Sequence, residues 1–254
     1  MLERPVLAMP QTAQTVAIIL FAAIVAVIVG YVIRFSMKNK VSYPIWMIIA
    51  IFLATPYETH TALLGHFVYP QEGQISVFSL YGIPMPLYLV LIYVVYVAPF
   101  MLFIFNSMEK GTMTPSLWWK MFFISVPCAF MFEPLAIHFG LWNYWGANQP
   151  MKILGFPLWW AFVNPTGLMI MTLTVYLIWR DVLHRQKAYT FCLLIPLGLF
   201  AFLGCISAPA HITLHSYTSK TATIVGSLLS MAMSVFAIWI GQKILEREAR
   251  GRTG

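Results

Sequence analysis

Charged residues are scarce in this chain. They make up 9% of the 254 residues, whereas hydrophobic residues make up 60% and the mean hydropathy is +0.80. A soluble domain is about a quarter charged and about half apolar, so this composition excludes a soluble globular domain. The apolar runs are long enough for helices that cross a hydrocarbon core of about 30 Å, which takes roughly 20 residues each. The sequence predicts an integral membrane protein.

Cysteine is also rare, and no pair of cysteines forms a motif. Cys128, Cys192 and Cys205 all lie within apolar runs, and no Cys-x-x-Cys pair occurs. This pattern excludes a disulfide framework and a thiolate metal site. The last apolar run lacks a central lysine, because Lys243 lies at its end, and this excludes a retinal Schiff base of the rhodopsin kind.

Seven apolar runs predict seven transmembrane helices. Helices are expected because strands would alternate in polarity and an open sheet edge cannot face lipid. The predicted fold class is therefore all-α, a polytopic membrane protein that forms a single domain over residues 1–254. The runs cover about 15–35, 42–64, 83–106, 117–140, 155–179, 189–211 and 222–245.

Basic residues predict the orientation, because Lys and Arg in short loops stay on the cytoplasmic side. With the N-terminus outside, twelve basic residues fall on the cytoplasmic side and three, Arg4, Lys152 and Lys220, fall outside. We therefore expect the N-terminus out and the C-terminus in, in the cytoplasmic (inner) membrane of a bacterium. The net charge of +7 is then explained by contact with anionic membrane lipids and indicates no nucleic-acid partner.

An internal repeat relates two segments, with repeat units at about 42–106 and 117–179. In each unit a glutamate, Glu58 or Glu133, is followed by glycine at +7, an aromatic residue at +9, tyrosine at +11 and a later Gly-x-Pro. We expect each glutamate helix to rise to the outer surface and end at the glycine, with aromatic residues at headgroup level. Gly-x-Pro would then begin the next helix, where proline is tolerated. A plain helical-hairpin template also explains the glycines, aromatics and prolines.

The two glutamates are less easily explained by structure alone. A charged side chain in a membrane span costs about 2.5 to 3.5 kcal/mol on insertion scales and usually has a partner or a function. Glu58 and Glu133 are the two acids predicted inside spans. A desolvated carboxyl group with imidazole neighbours is suited to deliver a proton. The polar residues predicted at the same depth, and expected as partners of the glutamates, are His60, His138, Asn164 and His211.

Three functions are compatible with such a site. An enzyme could protonate an isoprenoid double bond, using aromatic faces to stabilise a carbocation. A metal site could involve His211 and His215, which are four residues apart, although Pro209 suggests that the helix bends or ends there. A proton-coupled transporter of a lipid or small molecule could use the same acids. The aromatic wall expected for the enzyme consists of Tyr69, Trp142, Tyr144, Trp145, Trp159 and Trp160.

The repeat also resembles a known group of proteins. Residues 132–164, and more loosely 57–84, are similar to the membrane carotenoid enzymes: the bacterioruberin-type carotenoid hydratases and the heterodimer-type lycopene cyclases. Size and span count are similar to those of the small membrane terpene cyclases of meroterpenoid pathways. Lycopene cyclases carry paired glutamates after the turn proline, whereas Leu158 and Trp159 follow Pro157 here. The resemblance implies isoprenoid chemistry and carries over Glu133, Trp142, Tyr144, Gly155 and Pro157, with Glu58 added by the repeat.

We therefore expect an enzyme that acts on a lipid-soluble isoprenoid or carotenoid olefin by acid-initiated cyclisation or hydration. Glu58 and Glu133 are expected to serve as acid and base, without a cofactor or a metal. The alternative is the proton-coupled transporter. An enzyme would convert its substrate in detergent, whereas transport requires a sealed membrane.

Overall fold

The computed structural model describes residues 4–216 and 219–251, most of which are helical. Six helices in these ranges are long and apolar enough to cross a membrane, and a bent helix pair raises the number to as many as seven. This confirms a mostly helical chain with six to seven helices that could span a membrane. Arg252, which the sequence places among the cytoplasmic basic residues, lies outside the described residues.

Nine α-helices form the bundle in the described part of the chain. Two π-helical turns, Ile178–Val182 and Leu199–Leu203, and one 3-10 turn, Ala188–Thr190, extend or join them, so that Ala188–Ser216 is one apolar span. The helices are α1 Gln11–Asn39, α2 Tyr43–Ala54, α3 Pro56–Leu64, α4 Leu87–Glu109, α5 Pro115–His138, α6 Leu158–Leu177, α7 Phe191–Gly198, α8 Gly204–Ser216 and α9 Lys220–Gly251.

The predicted span 42–64 is broken into α2 and α3, which meet at 43°. Pro56 causes the break, because it lacks the N–H that would bond the carbonyl of Phe52. That carbonyl instead accepts from the backbone N–H of Thr55 at 3.2 Å and from the Thr55 hydroxyl at 2.8 Å. The kink places Glu58 in the first turn of α3.

Six short strands, which the sequence analysis did not predict, pair two by two at one end of the bundle. They are β1 Phe67–Val68, β2 Ser76–Leu80, β3 Ile83–Pro86, β4 Asn143–Tyr144, β5 Lys152–Ile153 and β6 Phe156–Pro157. β2 with β3 and β5 with β6 form hairpins, whereas β1 pairs with β4 from the other repeat unit.

Both hairpins turn on two residues with positive φ. The residues are Tyr81 and Gly82 (φ 55° and 69°) in the first hairpin, and Leu154 and Gly155 (φ 51° and 85°) in the second. Positive φ at both central positions is the geometry of tight hairpin turns, which match the twist of the strands. The glycine of each Gly-x-Pro is therefore the second residue of a hairpin turn.

The proline of the first Gly-x-Pro does not begin a helix, contrary to the sequence prediction. Pro84 lies within β3, and Pro86, two residues later, precedes α4. In the second copy Pro157 directly precedes α6, as predicted. The first hairpin is longer, with four paired positions in place of two, so its helix begins later.

α6 is the central helix. It packs against α4, α5, α7, α8 and α9. Of the residues in its apolar membrane-length stretch, 67% are buried inside the protein, compared with 11% for α1. α4 and α5 both pack on α6 but have at most marginal contact with each other. α6 therefore contacts both helices, which do not pack closely on each other.

The ends of α3 and α5 bring the chain back over the bundle in different ways. At the end of α5, Gly140 has a φ of +70°, and the N–H groups of Gly140 and Leu141 bond the carbonyls of Ile137 and Ala136. This is a Schellman cap, which favours glycine at the left-handed position. Gly65 instead has an ordinary φ but no space for a side chain, because a Cβ would lie 2.8 Å from the Phe67 ring.

Candidate active site between the two repeat units

Glu58 is held by two phenols. The Tyr69 hydroxyl donates to Oε1 of Glu58, and the Tyr93 hydroxyl donates to Oε2 at 2.7 Å. Tyr69 lies just after β1 and Tyr93 lies in α4. The carboxyl group is therefore held both by α4 and by the end of the bundle that carries the six strands, which we call the hairpin end. Both oxygens of Glu58 therefore accept a hydrogen bond from a phenol.

Glu133 is held on one oxygen only. Its Oε2 accepts from the Trp142 indole N–H at 2.8 Å and from the Tyr144 hydroxyl at 2.9 Å. Its Oε1 accepts no hydrogen bond from residues 4–216 and 219–251. The two glutamates therefore differ: Glu133 keeps one oxygen that is available to carry and transfer a proton.

The same spacing produces the same bond in both repeat units. In each, the tyrosine eleven residues after the glutamate donates its hydroxyl to that glutamate. The indole at +9 adds a donor to Glu133, but Phe67 at +9 in the first unit cannot donate. Tyr93 provides the second donor there.

Pairing of β1 with β4 brings the two tyrosines together. Phe67 pairs with Tyr144 in this ladder, and their rings meet edge to face with centroids 4.5 Å apart. Burial raises the pKa of Tyr144 well above its ordinary value, and the negative charges of Glu133 and of Glu58 raise it further. Both carboxyl groups therefore lie within electrostatic range of the Tyr144 phenol.

Aromatic rings extend from Glu133 along the site in edge-to-face contacts. Phe156 meets Phe130 at 5.2 Å and Tyr144 at 5.7 Å between centroids. Phe67 meets Trp160 at 5.1 Å, and Trp160 meets Trp159 at 5.3 Å. The predicted wall residues Tyr69, Trp142, Tyr144, Trp159 and Trp160 thus lie beside the carboxyl groups or in the ring series that continues from them.

Trp145 lies apart from this wall. It stacks on His66, with ring centroids 4.4 Å apart, at the hairpin end of the bundle. Its indole N–H is buried and has no hydrogen-bond partner among the residues that the structure describes.

The predicted imidazole partners do not hold the glutamates. His60 contacts the rings of Tyr57, Tyr81 and Phe200, whereas His138 is exposed and contacts Phe139. Helix geometry explains the difference, because each residue adds about 100° around the axis. Spacings of two and five residues turn His60 and His138 away from the glutamate on the same helix. Phenols and an indole take the places expected for imidazoles.

Asn164 and Tyr93 occupy the same position in their helices, the seventh residue of α6 and of α4. Tyr93 bonds Glu58, whereas Asn164 is half-buried and has no hydrogen-bond partner in the described ranges. The sequence analysis overlooked Tyr93, since one tyrosine in an apolar helix carries no motif. Both helices begin at a leucine that follows a proline, and counting residues from that leucine would have matched Tyr93 to Asn164.

His211 lies at the far end of the aromatic wall. It is buried, its ring centroid is 5.7 Å from that of Trp159, and its Nδ1 is 3.2 Å from the Ser207 hydroxyl. α8 continues past Pro209 to Ser216, so His211 and His215 do share one helix. His215 instead contacts the carbonyls of Leu63 and Leu64 through Nε2 at 3.1 and 3.0 Å. No group of three or more His, Cys, Asp or Glu side chains in residues 4–216 and 219–251 is placed to hold a metal ion.

No protein-family model, curated protein or solved structure matches this chain.

Proposed function

We propose that this protein is an integral membrane enzyme that protonates a carbon–carbon double bond of an isoprenoid and thereby starts its cyclisation or hydration. The observation that carries the proposal is the asymmetry of the two glutamates. Glu133 is anchored through Oε2 and leaves Oε1 unbonded among the described residues, whereas Glu58 is bonded on both oxygens. Glu133 is therefore the acid and Glu58 the base.

The chemical step needs no cofactor. The proton on Oε1 of Glu133 is transferred to one alkene carbon, and the other carbon becomes a carbocation. Trp142 and Tyr144 stabilise the carboxylate formed on Glu133, because hydrogen bonds to an ionised acceptor are strong. Neighbouring ring faces stabilise the cation.

The cation is then consumed in one of two ways. A second double bond of the same substrate attacks it, and loss of a proton to Glu58 leaves a cyclic isomer. Alternatively, water attacks and gives up its proton to Glu58, which leaves a tertiary alcohol. In both cases the proton on Glu58 returns to Glu133, carried by Tyr69, which bonds Glu58, and Tyr144, which bonds Glu133.

Access from the bilayer suits a lipid-soluble substrate. Both glutamates are partly exposed, and Tyr96 of α4 lies within electrostatic range of Glu133 of α5. We expect a substrate to enter between α4 and α5, sideways from the membrane and without crossing water.

Orientation is part of the proposal. The hairpin end carries Arg4, Lys152 and Lys220, and the other end carries most of the basic side chains, so the hairpin end faces outward by the positive-inside rule. In a cysteine-free chain in intact cells, we expect a membrane-impermeant maleimide to label Glu72→Cys but not Gln186→Cys. Labelling of Gln186→Cys alone would reverse the orientation.

The test is product analysis by mass spectrometry. Cells that express the chain are supplied with prenyl diphosphates, prenylated aromatics and acyclic carotenoids, alongside Glu58→Gln and Glu133→Gln variants. The proposal predicts an isomeric or water-added product that is lost in Glu133→Gln and strongly reduced in Glu58→Gln. Absence of any product with folded protein would contradict it.

A proton-coupled transporter is the second candidate, and the break between α2 and α3 favours it. Transporters place their sites at interrupted helices, and Glu58 lies in the first turn after this break. A transporter would move its cargo only in sealed vesicles and would form no product in detergent. An enzyme would form product in both.

A further inference from the structure

A half-buried arginine, Arg4, lies near the glutamate site. Its Nε and Nη2 atoms are buried and form no hydrogen bond with residues 4–216 and 219–251. The phenol of Tyr69, which bonds Glu58, lies within electrostatic range of Arg4. Burial has the larger effect on Arg4 and lowers its pKa. An unpaired buried charge is costly, so a guanidinium in this state fits a role in binding an anion.

The segment that follows Arg4 is held by hydrogen bonds. The carbonyl of Leu7 accepts from the backbone N–H groups of Gln71 and Glu72 at 2.9 and 3.2 Å, and the N–H of Leu7 donates to the Gln71 side chain at 3.1 Å. The N–H of Met9 donates to the carbonyl of Glu72 at 2.8 Å. The side chains of Gln11 and Gln14 then bond the carbonyl of Gly73 at 3.0 and 3.2 Å. Residues 7–10 therefore form a strap across the hairpin end, and Arg4 lies three residues before it.

The strap touches both repeat units. Its residues 7–9 bond the loop after Tyr69. The ring of Pro10 lies against Gly140, where a Cβ would come within 3.0 Å of the Pro10 Cγ. The strap thus covers the site from the end at which the glutamate helices stop. A ligand that reaches the carboxyl groups from between α4 and α5 would place its terminal group below the strap.

We infer that Arg4 binds an oxyanion, phosphate or carboxylate, at the head of the isoprenoid substrate. This inference rests on the proposed function and refines the substrate class: an amphipathic isoprenoid with an anionic head in place of a pure hydrocarbon carotenoid. A guanidinium fork matches both oxyanions, because it donates two parallel N–H bonds. The apolar tail would then lie along the aromatic wall, with its double bond at Glu133.

The test compares two ligands that differ only in the head group. Geranylgeranyl phosphate and geranylgeraniol are titrated against the full chain in a non-ionic detergent, using the Glu133→Gln background so that no turnover occurs. We expect the phosphate to bind at least about tenfold more tightly than the alcohol, since hydrogen bonds between two charged groups are stronger than those to a neutral hydroxyl. Arg4→Gln should remove this preference and Arg4→Lys should keep part of it. Lys220→Gln, which removes an exposed cation from the same end, should leave it unchanged.

Equal binding of phosphate and alcohol, or a preference that survives Arg4→Gln, would overturn the inference. If Arg4→Gln fails to fold, the comparison of Arg4→Lys with the parent decides, since loss of the fork should weaken phosphate binding alone. A phospholipid that co-purifies through Arg4 and is not displaced by the prenyl phosphate would assign the anion to the bilayer and also overturn it. Because the titration needs no turnover, Arg4-dependent phosphate binding without any product would refute the proposed function alone.

Discussion

The hydroxyl of Tyr144 offers a sharp test of how Glu133 works as an acid. Tyr144→Phe removes one of the two donors to Oε2, at 2.9 Å, and leaves the Trp142 donor at 2.8 Å. Shape and burial hardly change, because the ring remains between Phe67 and Phe156. The substitution therefore isolates one hydrogen bond.

The size of the effect follows from the charge on the acceptor. A hydrogen bond to a charged group is worth about 1.5 to 3 kcal/mol, and the carboxylate of Glu133 forms only as the proton is transferred. If the whole hydrogen-bond energy acts in the transition state, losing the Tyr144 hydroxyl slows the reaction by about 10- to 150-fold. Rates of product formation at saturating substrate in detergent measure it. We expect kcat to fall and KM to change little, since the hydroxyl bonds the acid and not the substrate.

Tyr81→Phe is the matched control. Tyr81 lies at the same end of the bundle, is 61% exposed, and its hydroxyl bonds no residue in the described ranges, so its loss should leave kcat unchanged. Equal rates for Tyr144→Phe and Tyr81→Phe would refute the role assigned to the hydrogen bond. An infrared band of the protonated carboxyl that vanishes in Glu133→Gln should also shift in Tyr144→Phe, independently of any substrate.

Two further predictions concern stability. Gly167→Ala places a Cβ 2.3 Å from the Leu203 side chain and should destabilise the protein by about 1 to 3 kcal/mol. Gly30→Ala is the control, because a Cβ there has no atom within 4 Å and should not destabilise the protein. Melting midpoints in detergent compare the two variants. Burial, and to a smaller extent the charge of His215, lowers the pKa of His66 to about 4. As the pH drops, the unfolded chain therefore binds a proton at this histidine before the folded chain does. The free energy of unfolding should fall between about pH 6.5 and pH 4, by up to about 3 kcal/mol. The melting midpoint of His66→Asn should depend less on pH than that of the parent, and asparagine tolerates the φ of +56° at this position. His184→Asn, at an exposed position, should melt like the parent. Identical dependence of the midpoint on pH in all three proteins would contradict this prediction.

The sequence predicted the helices well because hydrophobicity dominates in a membrane. Long apolar runs have no alternative to helix in lipid, so most of the predicted spans match the structure within a few residues. The break at Thr55 and Pro56 was missed, although a proline inside an apolar run favours a kink. The strands were missed for a different reason. β1, β4, β5 and β6 have two residues each, too few to show alternation.

The candidate site was predicted in its acids but not in their partners. Glu58 and Glu133 stand out because acids are rare inside spans. The histidines near them in sequence were favoured as partners, but helix geometry points them elsewhere. Tyr93 is 35 residues from Glu58, and a contact over that distance depends on tertiary packing that no short motif records.

Proton transfer from Glu133 to carbon is the central claim, and a reaction in deuterium oxide tests it most directly. The product should carry one deuterium on carbon that does not exchange in ordinary water, and Glu133→Gln should form no such product. A product that forms at full rate without deuterium on carbon would show that the reaction does not begin with protonation, and would contradict the account.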